Sequence, residues 1–383
     1  MKRISALLLL SLLAPGHLTA QRARRFAAVD AAVLAGIRQG TYPGAVVVIG
    51  RGDTVLYAKG YGHITWKTSD HRPDPGTTIW DLASLSKVVS TASAAAVLVS
   101  GGRLDLDAPL HRYLPEFSGD AKDRVTVRML LNHTSGLPAW APLWRLAKTP
   151  AEARTALYSV ALIRSPGERS EYSDLNALLL GLVVSQVSGM PLDAFARDAV
   201  FALLGMGMTM YQPEAADRTR AVPTRRSEGV AKRGVVNDQN ARAFDGIAGH
   251  AGVFSTGLDL ARFSQGWLHD ATRTDLPWLT PDTREEFFVR SPNSGSRALG
   301  WDTPREAEDG GPSLYGRCAT PSTVGHTGWT GTALWIDPTE DLFLILLTNR
   351  SYAPRHPAAS FEQMRLVRAR VSDAARKALG GCN

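Results

Sequence analysis

A chain of 383 residues with 44% hydrophobic and 21% charged residues has the balance of a globular protein, long enough to bury one large core or two adjoining ones. Its formal net charge of +7 comes mostly from scattered Arg side chains, without a dense basic block or an aromatic-interleaved basic stripe, so nucleic acid is not an expected partner. The nine His residues show no His-Glu-x-x-His spacing, and neither a phosphate-cradling Gly-rich loop nor a Gly-x-Ser-x-Gly elbow occurs, so no metal, no cofactor and no α/β-hydrolase chemistry is expected.

Residues 1–20 read as a secretory signal: Lys2 and Arg3 precede the apolar run Ile4–Ala14, and small residues follow up to Ala20. Removing them lowers the formal charge to +5, since 7 less the two basic residues leaves 5. A secreted or periplasmic protein without a stable membrane span after cleavage is expected, because no other stretch reads as long enough to cross a bilayer. Phe26, Val29, Val33, Ala35 and Ile37 mark an amphipathic helix ending at Gly40. Ala45–Gly50 and Thr54–Ala58, joined by a turn at Gly52-Asp53, predict a β-hairpin.

From Lys87 to about Ala271 the signals are mainly helical, with Ala94–Val99 and Asn176–Val187 the clearest stretches. The polar, Arg-rich segment Arg218–Asn240 predicts a long loop. Near the end, Thr332–Asp337 and Leu342–Thr348 predict a second hairpin. Its last strand is apolar on both faces and should therefore be central. A closing helix runs from about Ala359 to Leu379. Hairpins at both chain ends around a helical middle predict an α+β architecture. Its antiparallel sheet would be built from residues 21–86 and 300–383, with 87–299 as a mainly helical insertion, and pockets would form at the seam. Cys318 and Cys382 allow two alternatives, a disulfide that clips the C-terminus or two free thiols.

Three short motifs carry the chemistry. Ser84-Leu85-Ser86-Lys87 places a hydroxyl and an amine one helical turn apart on one face. With 27 Ser and 8 Lys in the chain, about 0.6 such Ser-x-x-Lys matches would arise by chance, so spacing alone is a weak signal. A serine hydroxyl becomes a useful nucleophile only beside a base, a role that lysine or tyrosine can take. Tyr172-Ser173-Asp174 and His326-Thr327-Gly328 follow in the middle and near the end. The plainer alternatives are a helix-capping Ser84, with Asp81 as a rival cap, and a buried, hydrogen-bonded Tyr172. Trp140, Trp144 and Trp329 are candidates to line a pocket, whereas Asn132-His133 and Gly249-His250 read as loop anchors.

Taken in order, these motifs make the chain resemble the serine β-lactamase and penicillin-binding-protein superfamily, in particular the class C-like branch that also holds D-Ala-D-Ala carboxypeptidases and esterases. The segments Leu130–Leu137, Gly249–Thr256 and Leu347–Arg350 add to the resemblance, which spans the chain after the signal. It implies the β-lactamase/transpeptidase-like fold and a small-molecule or cell-wall peptide substrate. It also implies Ser84 as the acylated nucleophile, Lys87 as base or proton relay, and Tyr172 as their partner. His326, Thr327 and Gly328 would line the substrate strand, with Gly328 leaving room for substrate. The N–H groups of Ser84 and Trp329 would form an oxyanion hole. Two departures stand out. Asp174 replaces an asparagine, so an acceptor-only carboxylate suits a cation such as Lys87, with the Asn176 amide nearby. His326 replaces a lysine, which weakens the expectation of an efficient β-lactamase. The expected activity is D-alanyl carboxypeptidase-like or esterase; a class C-like β-lactamase and a non-catalytic cell-wall peptide-binding protein are the alternatives.

Overall fold

The structure is a computed structural model that describes residues 24–227, 230–269, 272, 277–304 and 313–382; the expected signal segment 1–20 lies outside the described residues. Helix α1 (Ala27–Arg38) leads into strands β1 (Gly44–Arg51) and β2 (Thr54–Gly62), the expected first hairpin. Strands β8 (Val324–Thr327), β9 (Ala333–Asp337) and β10 (Leu342–Thr348) complete a five-stranded antiparallel sheet in the order β2-β1-β10-β9-β8. Both chain ends thus build one sheet, as the two hairpin patterns predict.

Alternation along the strands explains the layering. In β1, Ala45, Val47 and Ile49 join one apolar cluster, and Val46 and Val48 join the other. In β10, Leu342, Leu344 and Leu346 point into the first cluster, and Phe343, Ile345 and Leu347 into the second. The first is capped by α1 together with the closing helix, Ser360–Ala378. The second faces the helical middle of the chain and the helix Gly257–His269. Each fully buried aliphatic side chain contributes about 1.5–3 kcal/mol of transfer free energy, so a central strand covered on both sides is the most strongly held element. Gly257 is required at its position: a Cβ there would fall 2.8 Å from Val48 Cγ2 and hold the helix off the sheet.

Between the sheet halves the chain is mainly helical. A π-helical stretch, Lys87–Ala92, continues into α2 (Ser93–Ser100), and α3 spans Asp174–Ser188. By length and composition Ala83–Ser100 does pass as a membrane-crossing helix (mean hydropathy 1.4), contrary to the sequence expectation, yet 78% of that stretch is buried inside the fold. Its apolar side chains are spent on the core. A small sheet, β3 (Trp80–Asp81), β7 (Val253–Ser255) and β4 (Met210–Tyr211) in the order β3-β7-β4, stands directly behind Ser84.

The segment Arg218–Asn240 is not a simple loop. It contains a two-stranded ribbon, β5 (Pro223–Ser227) and β6 (Val230–Arg233), and then the start of α4 (Gln239–Ala243). A ribbon with polar residues on both faces leaves no alternating apolar pattern to read. The helices that cover the two faces of the large sheet are α5 (Gly257–His269) and α6 (Ser360–Ala378). Of the two cysteine alternatives the disulfide is present, joining Cys318 to Cys382 with Cα atoms 5.4 Å apart.

Candidate active site

Ser84 sits in a single 3-10 turn, Ala83–Leu85, between β3 and the π-helical stretch. The turn enters through Ala83 at φ +48°, a left-handed conformation that costs a non-glycine residue energy and is often found beside reactive groups. Asp81 holds it there. Its carboxylate is 1% exposed and accepts from the N–H of Ala83 at 2.9 Å and of Asn237 at 2.7 Å. Its carbonyl accepts from Thr330 Oγ1 at 2.8 Å. One residue therefore ties together the nucleophile turn, the loop before α4 and the segment after β8. Burial pushes the Asp81 carboxyl up to about 6, against the pull of those two N–H donors.

Lys87 follows one turn later, as the spacing predicts, and its ammonium donates to Ser84 Oγ at 2.9 Å. The same ammonium donates to Asp174 Oδ1 at 2.7 Å and to the His250 carbonyl at 3.2 Å. The Lys87 position opens a π-helical stretch, a distortion that recurs at functional sites. Burial by itself would depress the Lys87 ammonium, but Asp174 and Tyr172 outweigh it and hold the ammonium above the ordinary lysine value.

Tyr172 and Asp174 arrive on the N-terminus of α3, where the Ser173 hydroxyl accepts from Leu175 N and an acidic first turn suits the helix dipole. The Tyr172 ring lies 5.0 Å from Lys87 Nζ and 4.8 Å from the Arg297 guanidinium. The Asn176 amide does not reach the cleft: it is fully buried, with Oδ1 accepting from Ser135 and Nδ2 beside His133 Nδ1.

The opposite wall is β8, an edge strand. Gly325 exchanges two 2.8 Å backbone bonds with Asp302 across the edge away from β9. By the alternation of an antiparallel ladder, Thr327 presents its backbone to that same edge two residues later, inside the cleft. His326, Thr327, Gly328 and Trp329 all line a cleft of about 430 Å³ together with Ser84, Tyr172 and Asp174. Gly328 is also a point of close packing. A Cβ there would lie 2.2 Å from Thr332 Oγ1 and 2.5 Å from the Leu82 carbonyl, so glycine lets the strand end approach the nucleophile turn. Of the tryptophan candidates, Trp329 lines the cleft, whereas Trp140 and Trp144 do not.

His326 is buried, with Nδ1 bonded to the Thr327 carbonyl at 2.9 Å. Burial, reinforced by Arg297 and Lys87, holds it well below the ordinary histidine value, so it is neutral at pH 7. His133 is held low by the same causes and accepts from Ser173 N. His133 is buried, and His250, which lines the cleft, supplies its carbonyl to Lys87 and its ring to Asp238 at 2.8 Å. That contact and Lys87 hold the Asp238 carboxyl well below the usual range against burial. Asp174, Asp238 and His250 lie close enough to hold a cation, but the Lys87 ammonium bonds to Asp174 and to the His250 carbonyl there.

Four residues of the site have no motif to announce them: Asp81, Asp238, Arg297 and Arg368. Arg297 lines the cleft from an irregular segment and is 3.6 Å from Asp302. Arg368, on α6, is buried and donates to the carbonyls of Gly328 and Thr332 at 2.7 and 2.9 Å, pinning the turn after β8. Burial, with Arg350 nearby, lowers its guanidinium to about 9.

A sheet made from both chain ends, with Ser, Lys and Tyr meeting at its edge, is the arrangement of β-lactamases and penicillin-binding proteins. A family model described as Beta-lactamase matches residues 24–369, and the chain belongs to that family. It is 29% identical to an N-acetylmuramyl-L-alanine amidase of Bacillus subtilis (strain 168), over 91% of this chain and 90% of the relative. It is 28% identical to a protein of Escherichia coli (strain K12) provisionally named D-alanyl-D-alanine carboxypeptidase, over 82% of this chain and 80% of that one. Among solved structures, EstCE1, a hydrolase with promiscuous acyltransferase activity, superposes with a TM-score of 0.71 at 22% identity, covering 92% of this chain and 98% of its own. A penicillin-binding protein homologue from Caulobacter crescentus gives a TM-score of 0.71 at 21% identity, covering 92% and 97%. The protein is a hydrolase of the β-lactamase and penicillin-binding-protein type.

Proposed function

We propose that the protein is an exported serine hydrolase that forms an acyl-enzyme on Ser84, with D-alanyl carboxypeptidase-like or esterase activity. The observation that carries this reading is the 2.9 Å hydrogen bond from Lys87 to Ser84 Oγ, in a cleft that Tyr172 and Thr327 of β8 also line. In acylation, Ser84 Oγ bonds to the substrate carbonyl carbon while its proton moves through the Lys87–Tyr172 pair. The N–H groups of Ser84 and Trp329 hold the oxyanion. The bond to the leaving nitrogen or oxygen then breaks as the leaving group takes the proton. Water reverses the sequence, and the acyl group departs as a carboxylic acid with Ser84 restored.

In this reading the division into a sheet unit (21–86 and 300–383) and a helical unit (87–299) puts the cleft at their seam. The substrate carries a carboxylate. His326, neutral and buried, is a poor cation for it, whereas Arg297 is a permanent one in the same cleft. Loss of a cation at position 326 also ranks β-lactams below peptides and esters. Export rests on the signal pattern of residues 1–20 and is supported by the cell-wall names of the relatives.

Steady-state assay of an acyl-D-alanyl-D-alanine peptide, a short-chain ester and a cephalosporin tests the ranking. The peptide or the ester is hydrolysed with kcat/KM at least about tenfold above the cephalosporin. A cephalosporin hydrolysed best would replace this reading with the β-lactamase alternative.

A further inference from the structure

Two large aromatic side chains stand exposed at the cleft mouth, Trp329 at 59% and Phe361 at 55%. Their ring centroids are 6.0 Å apart. They come from unrelated parts of the chain, the turn after β8 and the first turn of α6. Exposed aromatics of this size usually find a partner in a stable protein, and here the described residues supply one only from beneath.

That support is specific. The Arg350 guanidinium lies 4.6 Å from the Trp329 ring and 5.7 Å from the Phe361 ring. It is fixed by donation to the Trp329 carbonyl and to Ser360 Oγ at 3.2 Å. Arg350 is 5% exposed, burial lowers its guanidinium from the ordinary arginine value, and no carboxylate among the described residues forms an ion pair with it. A buried cation spent on backing two exposed rings fixes them in position before any ligand arrives, and rigid rings bind at a lower entropy cost.

Position names the occupant. Trp329 lies in the turn that follows β8, beyond Thr327 and Gly328 from His326, while Arg297 stands against the Tyr172 ring. Leu314 adds apolar surface to the cleft. We infer that Trp329 and Phe361 form a subsite for an aromatic or extended apolar acyl group, on the side of the scissile carbonyl away from Arg297. The preferred substrate is then bipartite, a carboxylate at one end and a flat apolar group at the other. This deepens the hydrolase reading and rests on it for the direction of the substrate.

Binding tests it without turnover. Ser84→Ala protein is titrated calorimetrically with N-phenylacetyl-D-alanine and with N-acetyl-D-alanine, which share the carboxylate and differ in the acyl group. The phenylacetyl compound binds at least about fivefold more tightly, as expected of one aromatic contact. Adding Phe361→Ala brings the two affinities within about twofold, and Phe361→Tyr in its place keeps the preference. Phe361 is largely exposed, so neither change threatens the fold. Equal affinities in Ser84→Ala protein, or a preference untouched by Phe361→Ala, would overturn the subsite. Failure of the hydrolase reading registers separately, as a wild-type protein that gains no mass from a serine-directed probe.

Discussion

The Asp174 carboxylate stands 2.7 Å from the Lys87 ammonium, and Lys87 is only 3% exposed. A lysine so paired holds its proton at neutral pH, so in the resting site it acts as a cation and relay and not as a free base. Asp174→Asn removes the anion, and the Lys87 value falls. The basic limb of the kcat/KM–pH profile then moves to lower pH. Movement of the acidic limb instead would mean that Lys87 must be deprotonated to work. Stability follows the same sign. A raised folded-state value makes the pair's contribution complete at pH 7 and lost as pH climbs through that value. The melting deficit of Asp174→Asn is therefore largest near neutrality and closes at strongly alkaline pH.

Arg297→Ala separates recognition from chemistry. Losing a charged hydrogen bond to a substrate carboxylate raises KM by about 10- to 100-fold, whereas an uncharged ester of the same acyl group changes little. Because Arg297 helps to depress both His326 and His133, their titrations move upward in the variant, which proton NMR of the imidazole resonances reads directly. An equal loss on charged and uncharged substrates would contradict the carboxylate role.

Asp81→Asn tests the hub behind the nucleophile. An amide can accept through its oxygen but turns its N–H₂ toward the second donor, so one of the bonds to Ala83 and Asn237 is lost. The expected result is a fall in kcat of about tenfold or more, with KM less affected. In the wild type the folded-state value near 6 exceeds the unfolded one near 3.8, so the folded state binds the extra proton and stability falls as pH rises from 4 to 6. Urea unfolding of Asp81→Asn shows a flatter slope across that window.

Gly328→Ala places a methyl group against Leu82 and Thr332, where strand and nucleophile turn meet. Acylation of Ser84 slows by about 100-fold or more while far-UV circular dichroism is unchanged, since a misplacement of the order of 1 Å is enough to lose that much rate. Retained acylation would show that the strand end tolerates displacement.

The sheet was legible because its strands alternate or are apolar on both faces, as in Ala45–Gly50 and Leu342–Thr348. The ribbon in Arg218–Asn240 was not, because its residues are mostly polar or charged and show no apolar alternation. Ser84, Lys87, Tyr172 and His326 announce themselves through local spacing; the structure brings Ser84, Tyr172 and His326 to one cleft, with the buried Lys87 bonded to Ser84. Arg297, Arg368 and Asp238 carry no such signature. An arginine from an irregular segment becomes part of the site only through tertiary packing, in a chain where arginine is common. The close packing of Gly328 was not legible, since its neighbours, Leu82 and Thr332, are set by the approach of two distant segments.

The central claim is a covalent acyl-enzyme on Ser84. Intact mass is measured after incubation with a fluorophosphonate and, separately, with a fluorescent penicillin, using wild-type and Ser84→Ala protein. The account predicts a single adduct from the fluorophosphonate on the wild type, absent from Ser84→Ala. Wild-type protein that gains no mass from either probe, or an adduct that survives Ser84→Ala, would contradict it.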